Sequence, residues 1–244
     1  MRLRSRFRTH PFFWDNLNNL KHAFGNEDKS LSKAGVTCVI ATWDESLLIK
    51  HALESSMEFV SKYIIVDKDG STVEAIKEAR DSFNLDIDLY VKPNMNLKQA
   101  WDYGFSRARD PWILLQDGDE IFYTEGKTSI HRLRDYMIRP DIVLCAPKVL
   151  LYGSLRLTTR ALVVMPPHTL LYHNNGTIRQ KPNTPGDHPV IDGWKVGLPH
   201  PFLFNCRIKR SFNIKKRCVP YNPEKHYPYP KILLKILENK KVGV

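Results

Sequence analysis

The chain has 244 residues, enough to bury one sizeable core or at most two small ones. Hydrophobic residues make up 42% and charged residues 26%, a balance that excludes a globally disordered chain. The formal net charge of +11 points to anionic partners: nucleoside phosphates, acidic lipid surfaces or nucleic acid.

Basic residues gather in an N-terminal arm (residues 1–34, with Arg2, Arg4, Arg6 and Arg8), between Arg207 and Arg217, and in a tail (residues 221–244). No apolar run reaches membrane-spanning length and none follows Arg8, so neither a membrane span nor a signal peptide is expected. Cys38, Cys145, Cys206 and Cys218 lack zinc spacing. Cys38 and Cys145 sit in apolar runs, as small buried hydrophobes do. A reducing, cytoplasmic location fits this usage. Asn175-Gly176-Thr177 reads as a turn.

From residue 35 to 122, strand and helix patterns alternate. Val36–Ala41 reads as a buried strand. Leu48, Ile49, Ala52, Leu53 and Met57 follow at helical spacing. Tyr63–Val66 is a second strand, ending in the turn Asp67–Thr72. Ser71 and Glu74 fit a capping box for a helix whose apolar face is Val73, Ile76, Ala79 and Phe83. Ile87–Val91 is a third strand. Asn96 and Gln99 cap a helix carrying Leu97, Ala100, Trp101, Phe105 and Ala108. Trp112–Leu115 is a fourth strand. This order predicts a mostly parallel sheet with helices on both faces and ligands at the carboxyl ends of the strands. Those ends are Thr42–Glu45, Asp67–Asp69 and Asp117–Asp119, which should open onto one edge.

Asp117-Gly118-Asp119-Glu120 is the most informative of them. Carboxylates at the end of a buried strand are costly unless something positive sits there. Strand alternation would put Asp117 and Asp119 on one side of the chain. Gly118 lets another group approach the backbone. Two convergent carboxylates suit a hard divalent cation, which carries phosphates. The same residues also fit a polar turn with solvated acids. Thr42 and Glu45 likewise fit a capping box, and Asp67 and Asp69 fit helix N-terminal charge.

In order and strand-end placement, Val36–Glu45, Ile64–Thr72 and Asp117–Glu120 resemble the nucleotide-sugar half of family 2 glycosyltransferases with the GT-A fold. The family pattern is a strand ending in Thr-Tyr-Asn-Glu, a strand ending in Asp-Asp-Gly-Ser-Thr, and an Asp-x-Asp. Here Trp43-Asp44 replaces Tyr-Asn, and Lys68 separates the two aspartates. The resemblance implies an α/β GT-A (Rossmann-like) fold with a mixed, mostly parallel sheet and an acceptor-side C-terminal extension. It implies a nucleotide-sugar half (35–122) and an acceptor half (123–220) in one domain. It implies inverting transfer from a UDP- or GDP-sugar to an acceptor hydroxyl on a glycan, a lipid-linked molecule or a protein. Thr42 and Glu45 would lie near base and ribose. Asp67 or Asp69 would accept from a base N–H. Asp117 would meet the ribose or a metal-bound water, and Asp119 would coordinate Mg²⁺ or Mn²⁺.

Past residue 122, Asp141–Ala146 and Ala161–Met165 read as strands, and Thr169–Gln180 reads as a hairpin. Family members often keep their catalytic base in this half beside a histidine. Asp187, next to His188, is the candidate, with Asp192 and Glu120 as competitors and an ordinary Pro-Gly turn as the bland alternative. His200 matches the family's late histidine that reaches the metal or diphosphate, but also reads as a loop histidine between prolines. Arg207, Lys209 and Lys215 fit phosphate contacts or a solvated basic face. Ile232, Leu233, Ile236 and Leu237 form one face of a tail helix, expected to pack on the body. The alternative for this tail is peripheral contact with an anionic membrane. A nucleotidyltransferase would place a glycine-rich loop after the first strand, where Thr42-Trp-Asp-Glu45 stands. A nucleic-acid binder would not converge three acidic strand ends on one edge, so no nucleic acid is expected.

Overall fold

The computed structural model describes residues 28–152, 154–159, 164–174, 194–198, 200–207 and 218–239. The first part alternates as the apolar periodicity requires. Strand β1 (Val36–Thr42) leads to helix α1 (Ile49–Ser56), then β2 (Lys62–Asp67), α2 (Val73–Phe83), β3 (Ile87–Val91), α3 (Leu97–Arg107) and β4 (Trp112–Leu115). Strands β1, β2, β3 and β4 pair in parallel, with β1 between β2 and β4. Successive residues of β1 serve opposite faces. Cys38 and Ile40 pack with Ile49 and Leu53 of α1 and Ile76 and Ala79 of α2. Val39 and Ala41 pack with Ala100 and Trp101 of α3. Helices therefore cover both faces, and the β1 side chains are buried throughout.

The remaining strands are β5 (Glu120–Phe122), β6 (Ile142–Tyr152), β7 (Leu157–Thr159), β8 (Val164–His173), β9 (Trp194–Gly197), β10 (Leu203–Arg207) and β11 (Cys218–Pro220). Among the described residues they complete a nine-stranded sheet in the order β3-β2-β1-β4-β8-β6-β10-β5, with β9 beside β6, while β7 and β11 pair separately. The β6–β8 ladder shifts register between Ala146 and Lys148, where Pro147 has no N–H to offer. Thr169–His173, the first part of the expected hairpin, form the end of the long strand β8 and pair with β4 and β6. Residues 161–163 and 175–180 lie outside the described residues.

Strands β4 and β5 are separated by four residues in the chain and by three strands in the sheet order. Four strand spacings in a flat sheet are roughly 19 Å. Five residue steps reach about that far only when fully extended, yet this segment closes a turn, with Glu120 N–H donating to the Asp117 carbonyl at 3.0 Å. The sheet is therefore curled, and the acidic turn joins its edge strand β5 to the interior strand β4. Asp117 and Asp119 lie in this turn and not in a strand, which corrects the expectation of simple strand alternation.

The tail forms helix α4 (Lys231–Glu238). Ile232, Leu233 and Ile236 are buried against Tyr123, Phe204 and Tyr221, with Leu237 partly buried beside them. This face is occupied by the body, and no helix among the described residues is long and apolar enough to cross a membrane. Leu233→Ala should cost about 2–5 kcal/mol of stability, measured by urea unfolding. A cost below about 0.5 kcal/mol, the range of an exposed substitution, would mean that α4 does not pack there in solution.

Candidate active site

The chain places β2 and β3 on one side of β1 and β4 on the other, so the crevice at the carboxyl ends of β1 and β4 is the switch point of the parallel block. Thr42 ends β1 there, fully buried, and its hydroxyl donates to Glu45 Oε2 at 2.9 Å. Helix α1 begins later, at Ile49, and its cap residue Leu48 makes no side-chain cap bond. Thr42 and Glu45 thus bond to each other without capping the helix. A Cβ on Gly118 would stand 2.3 Å from Glu45 Oε2 and 2.9 Å from Thr42 Oγ1. The group that Gly118 admits is therefore the Glu45 carboxylate, and Thr42, Glu45 and the acidic turn form one packed unit.

The next strand end is built around Asp67. Its carboxylate is fully buried and accepts from the N–H groups of Asp69 and Gly70 on one oxygen and from Thr72 N–H and Oγ1 on the other. Both oxygens are engaged inside the loop, so Asp67 shapes the strand end and is not turned outward to a ligand. Ser71 does not cap α2 as expected. Thr72 is the cap residue, and the Ser71 hydroxyl donates to Asp69 Oδ1 at 2.7 Å. Slight burial raises the Asp69 carboxyl, but the bonds from Ser71 outweigh it and hold the group below the usual carboxylate range. Asp69 is exposed at the edge. Lys68 Nζ lies 5.2 Å from the Trp43 ring centroid, and Trp43 is 45% exposed.

Behind the acidic turn lies a buried charge cluster. Glu120 and Lys148 form an ion pair with side-chain exposures of 0% and 4%. Asn205 Nδ2 donates to Glu120 Oε1 at 3.0 Å and to Asp119 Oδ1 at 3.3 Å. Asp117 N–H donates to Glu120 Oε2 at 3.1 Å. Burial alone would lower the Lys148 pKa, but Glu120, Asp117 and Asp119 reverse this, so the net direction is upward and the ammonium stays charged. Glu120, a competitor for the catalytic base, is fully buried and engaged by Lys148 and Asn205. Gln116, also fully buried, donates to the Ala52 and Glu120 carbonyls.

The profile of "Glycosyl transferase family 2" matches residues 37–193, which spans β1 to β8 and more than half of the chain. The chain belongs to glycosyl transferase family 2. No curated protein matches it in sequence. Among solved structures it is similar to residues 1–349 of S. aureus TarS, at 13% identity and a TM-score of 0.48, covering 70% of this chain and 60% of that one. A TarS 1–349 complex with UDP-GlcNAc is 16% identical, with a TM-score of 0.39, over 49% of this chain and 36% of the other. GalNAc-T7 with UDP, GalNAc and Mn²⁺ is 11% identical, with a TM-score of 0.37, over 48% and 23%. The chain thus spans less than two thirds of the length of each. The family's fold, a mixed and mostly parallel α/β sheet flanked by helices, is the fold observed.

Of the residues singled out from sequence, Thr42, Glu45, Asp117 and Asp119 come together at the β1–β4 crevice, with Asp67 and Asp69 on the next strand end. His200 is exposed on the segment entering β10. Among the described residues no group of three or more His, Cys, Asp or Glu is placed to hold a metal ion. Asp187, His188 and Asp192 lie outside the described residues. Sequence reading missed Lys148 and Asn205. Their signal was there: one lysine in the apolar run Ile142–Tyr152, and one asparagine between Phe204 and Cys206. Gly118→Ala should displace Glu45 or the turn and lower stability by about 1–3 kcal/mol. Wild-type values in thermal melts would show that the close approach is not needed.

Proposed function

We propose that the protein transfers a sugar from a nucleoside diphosphate sugar, UDP- or GDP-linked, to an acceptor hydroxyl with inversion. The observation that supports this most is the packing of Thr42 and Glu45 onto the Asp117–Gly118–Asp119 turn at the switch point of a family 2 chain. The donor would lie across the carboxyl ends of β1, β2 and β4. Thr42, Glu45 and Asp69 would line its nucleoside end. Asp67, enclosed by its own loop, would act by shaping that end.

Asp117 and Asp119 would face the diphosphate. Two carboxylates, phosphate oxygens and water are a suitable donor set for Mg²⁺ or Mn²⁺, which need few protein ligands when phosphates supply the rest. Asp119 would be the principal protein ligand. Asp117 would hold a ribose hydroxyl or a cation-bound water, and His200 is the proposed histidine of that site. Such a cation, when bound, supplies Lewis acidity at the departing diphosphate. On the acceptor side, Asp187 would take the hydroxyl proton as the new C–O bond forms and the anomeric C–O bond to phosphate breaks. The acceptor would be a glycan, a lipid-linked molecule or a protein. The cytoplasmic reading agrees with four free thiols.

Calorimetry of UDP and GDP tests the donor side. The preferred nucleotide should bind tightly with Mn²⁺ and weakly in EDTA, because two carboxylates otherwise repel the diphosphate. Asp119→Asn should remove the difference while keeping the fold. Equal affinity in Mn²⁺ and EDTA for the wild type would eliminate the cation's role. For the acceptor side, Asp187→Asn should slow turnover by roughly a hundredfold or more with nucleotide affinity unchanged. Turnover at the wild-type rate would remove Asp187 from the chemistry.

A further inference from the structure

The cluster behind the acidic turn is closed to substrate. Lys148 is 3% exposed, Asn205 1% and Glu120 0%. Its hydrogen bonds nonetheless end on the two acids that face the donor. Glu120 fixes the start of the turn through Asp117 N–H. The Asn205 amide donates to Asp119 and Glu120 together. Arg207 Nε donates to Asn205 Oδ1 at 3.1 Å, which settles the amide orientation and leaves its NH₂ toward the acids. Cys206 N–H, the next backbone group along β10, donates to the Asp119 carbonyl at 2.8 Å. Asp119 is therefore held at its carbonyl and at Oδ1 by adjacent residues of one strand. Lys148 is the cation that makes a buried Glu120 affordable beside them.

Building on the donor reading above, we propose that Lys148 and Asn205 are positioning residues that keep the Asp119 carboxylate aimed at the donor diphosphate and its cation. Neither touches the donor. Lys148 fixes Glu120, Glu120 and Arg207 fix the Asn205 amide, and the amide fixes Asp119. Arg207, partly buried, thereby takes part in the arrangement through its Nε.

Two variants test this: Asn205→Ala, and the charge-balanced double variant Glu120→Gln/Lys148→Met. The second serves if the first does not fold. Three quantities are read: melting temperature, amide hydrogen exchange at Glu120 and Cys206, and affinity for Mn²⁺ alone and for UDP or GDP in Mn²⁺ and in EDTA. Loss of a group that orients a metal ligand lowers metal affinity by about 10–100-fold. The folded variant should show that loss for Mn²⁺ and for the nucleotide in Mn²⁺, with faster exchange at the two amides and unchanged binding in EDTA. A merely structural defect would lower binding in both media, and that result would overturn the proposal. So would wild-type exchange together with wild-type Mn²⁺ affinity. A wild-type protein that binds neither UDP nor GDP would defeat the donor reading alone, because Mn²⁺ affinity and amide exchange still decide the positioning role.

Discussion

Four residues, Gln116 to Asp119, must join β4 to β5 across three intervening strands of the sheet order, and much of the molecule follows from that constraint. The sheet has to curl until the β5 edge comes within reach of the β4 end. The connecting turn then occupies the crevice where the parallel block reverses direction. The same turn carries Asp117 and Asp119, with Glu120 immediately after. Acids cannot be concentrated there without compensation, and Lys148 supplies it from strand β6, which β10 separates from β5. Removing one partner of such a buried pair costs about 3–5 kcal/mol, because the other charge is left stranded.

This arrangement separates two tasks. Lys148 and Asn205 face the back of the turn and neutralise or orient its acids. Under the proposed function, the front of the turn is the face that would meet a cation and the diphosphate. Glu45 reaches the turn from β1 only because residue 118 has no side chain. At the rim, the two departures from the family pattern, Trp43 and Lys68, meet in a cation–π contact. The contact ties the β1 end to the β2 end, as does the bond from Lys68 N–H to the Thr42 carbonyl.

The parts of this fold that depend on short-range pattern were legible in the sequence. Burial on both faces writes continuous apolar runs, so β1, β2 and β4 were plain. The Asn96–Gln99 capping box is present with both of its bonds. What was not legible depends on groups distant in sequence. Ser71 and Glu74 have capping-box spacing, but Asp67 competes for the same loop and takes the N–H and hydroxyl of Thr72. Thr42 and Glu45 also have that spacing, yet Thr42 ends a strand and the helix starts at Ile49. Asp117 and Asp119 looked like alternating strand residues because strand order, which forces the turn, is a property of the whole sheet. The Lys148–Glu120 pair joins residues 28 positions apart, which no local pattern announces, although a lone lysine in an apolar strand asks for a partner.

The central claim is that the acidic turn at the β1–β4 crevice is where the donor diphosphate sits. Anomalous diffraction at the manganese edge, from crystals grown with Mn²⁺ and the preferred nucleoside diphosphate, tests it most directly. The account predicts one dominant peak beside the Asp119 carboxylate, bridging to the phosphates, with the nucleoside lying along the ends of β1 and β2. A nucleotide bound elsewhere, or a peak away from Asp117 and Asp119, would contradict it.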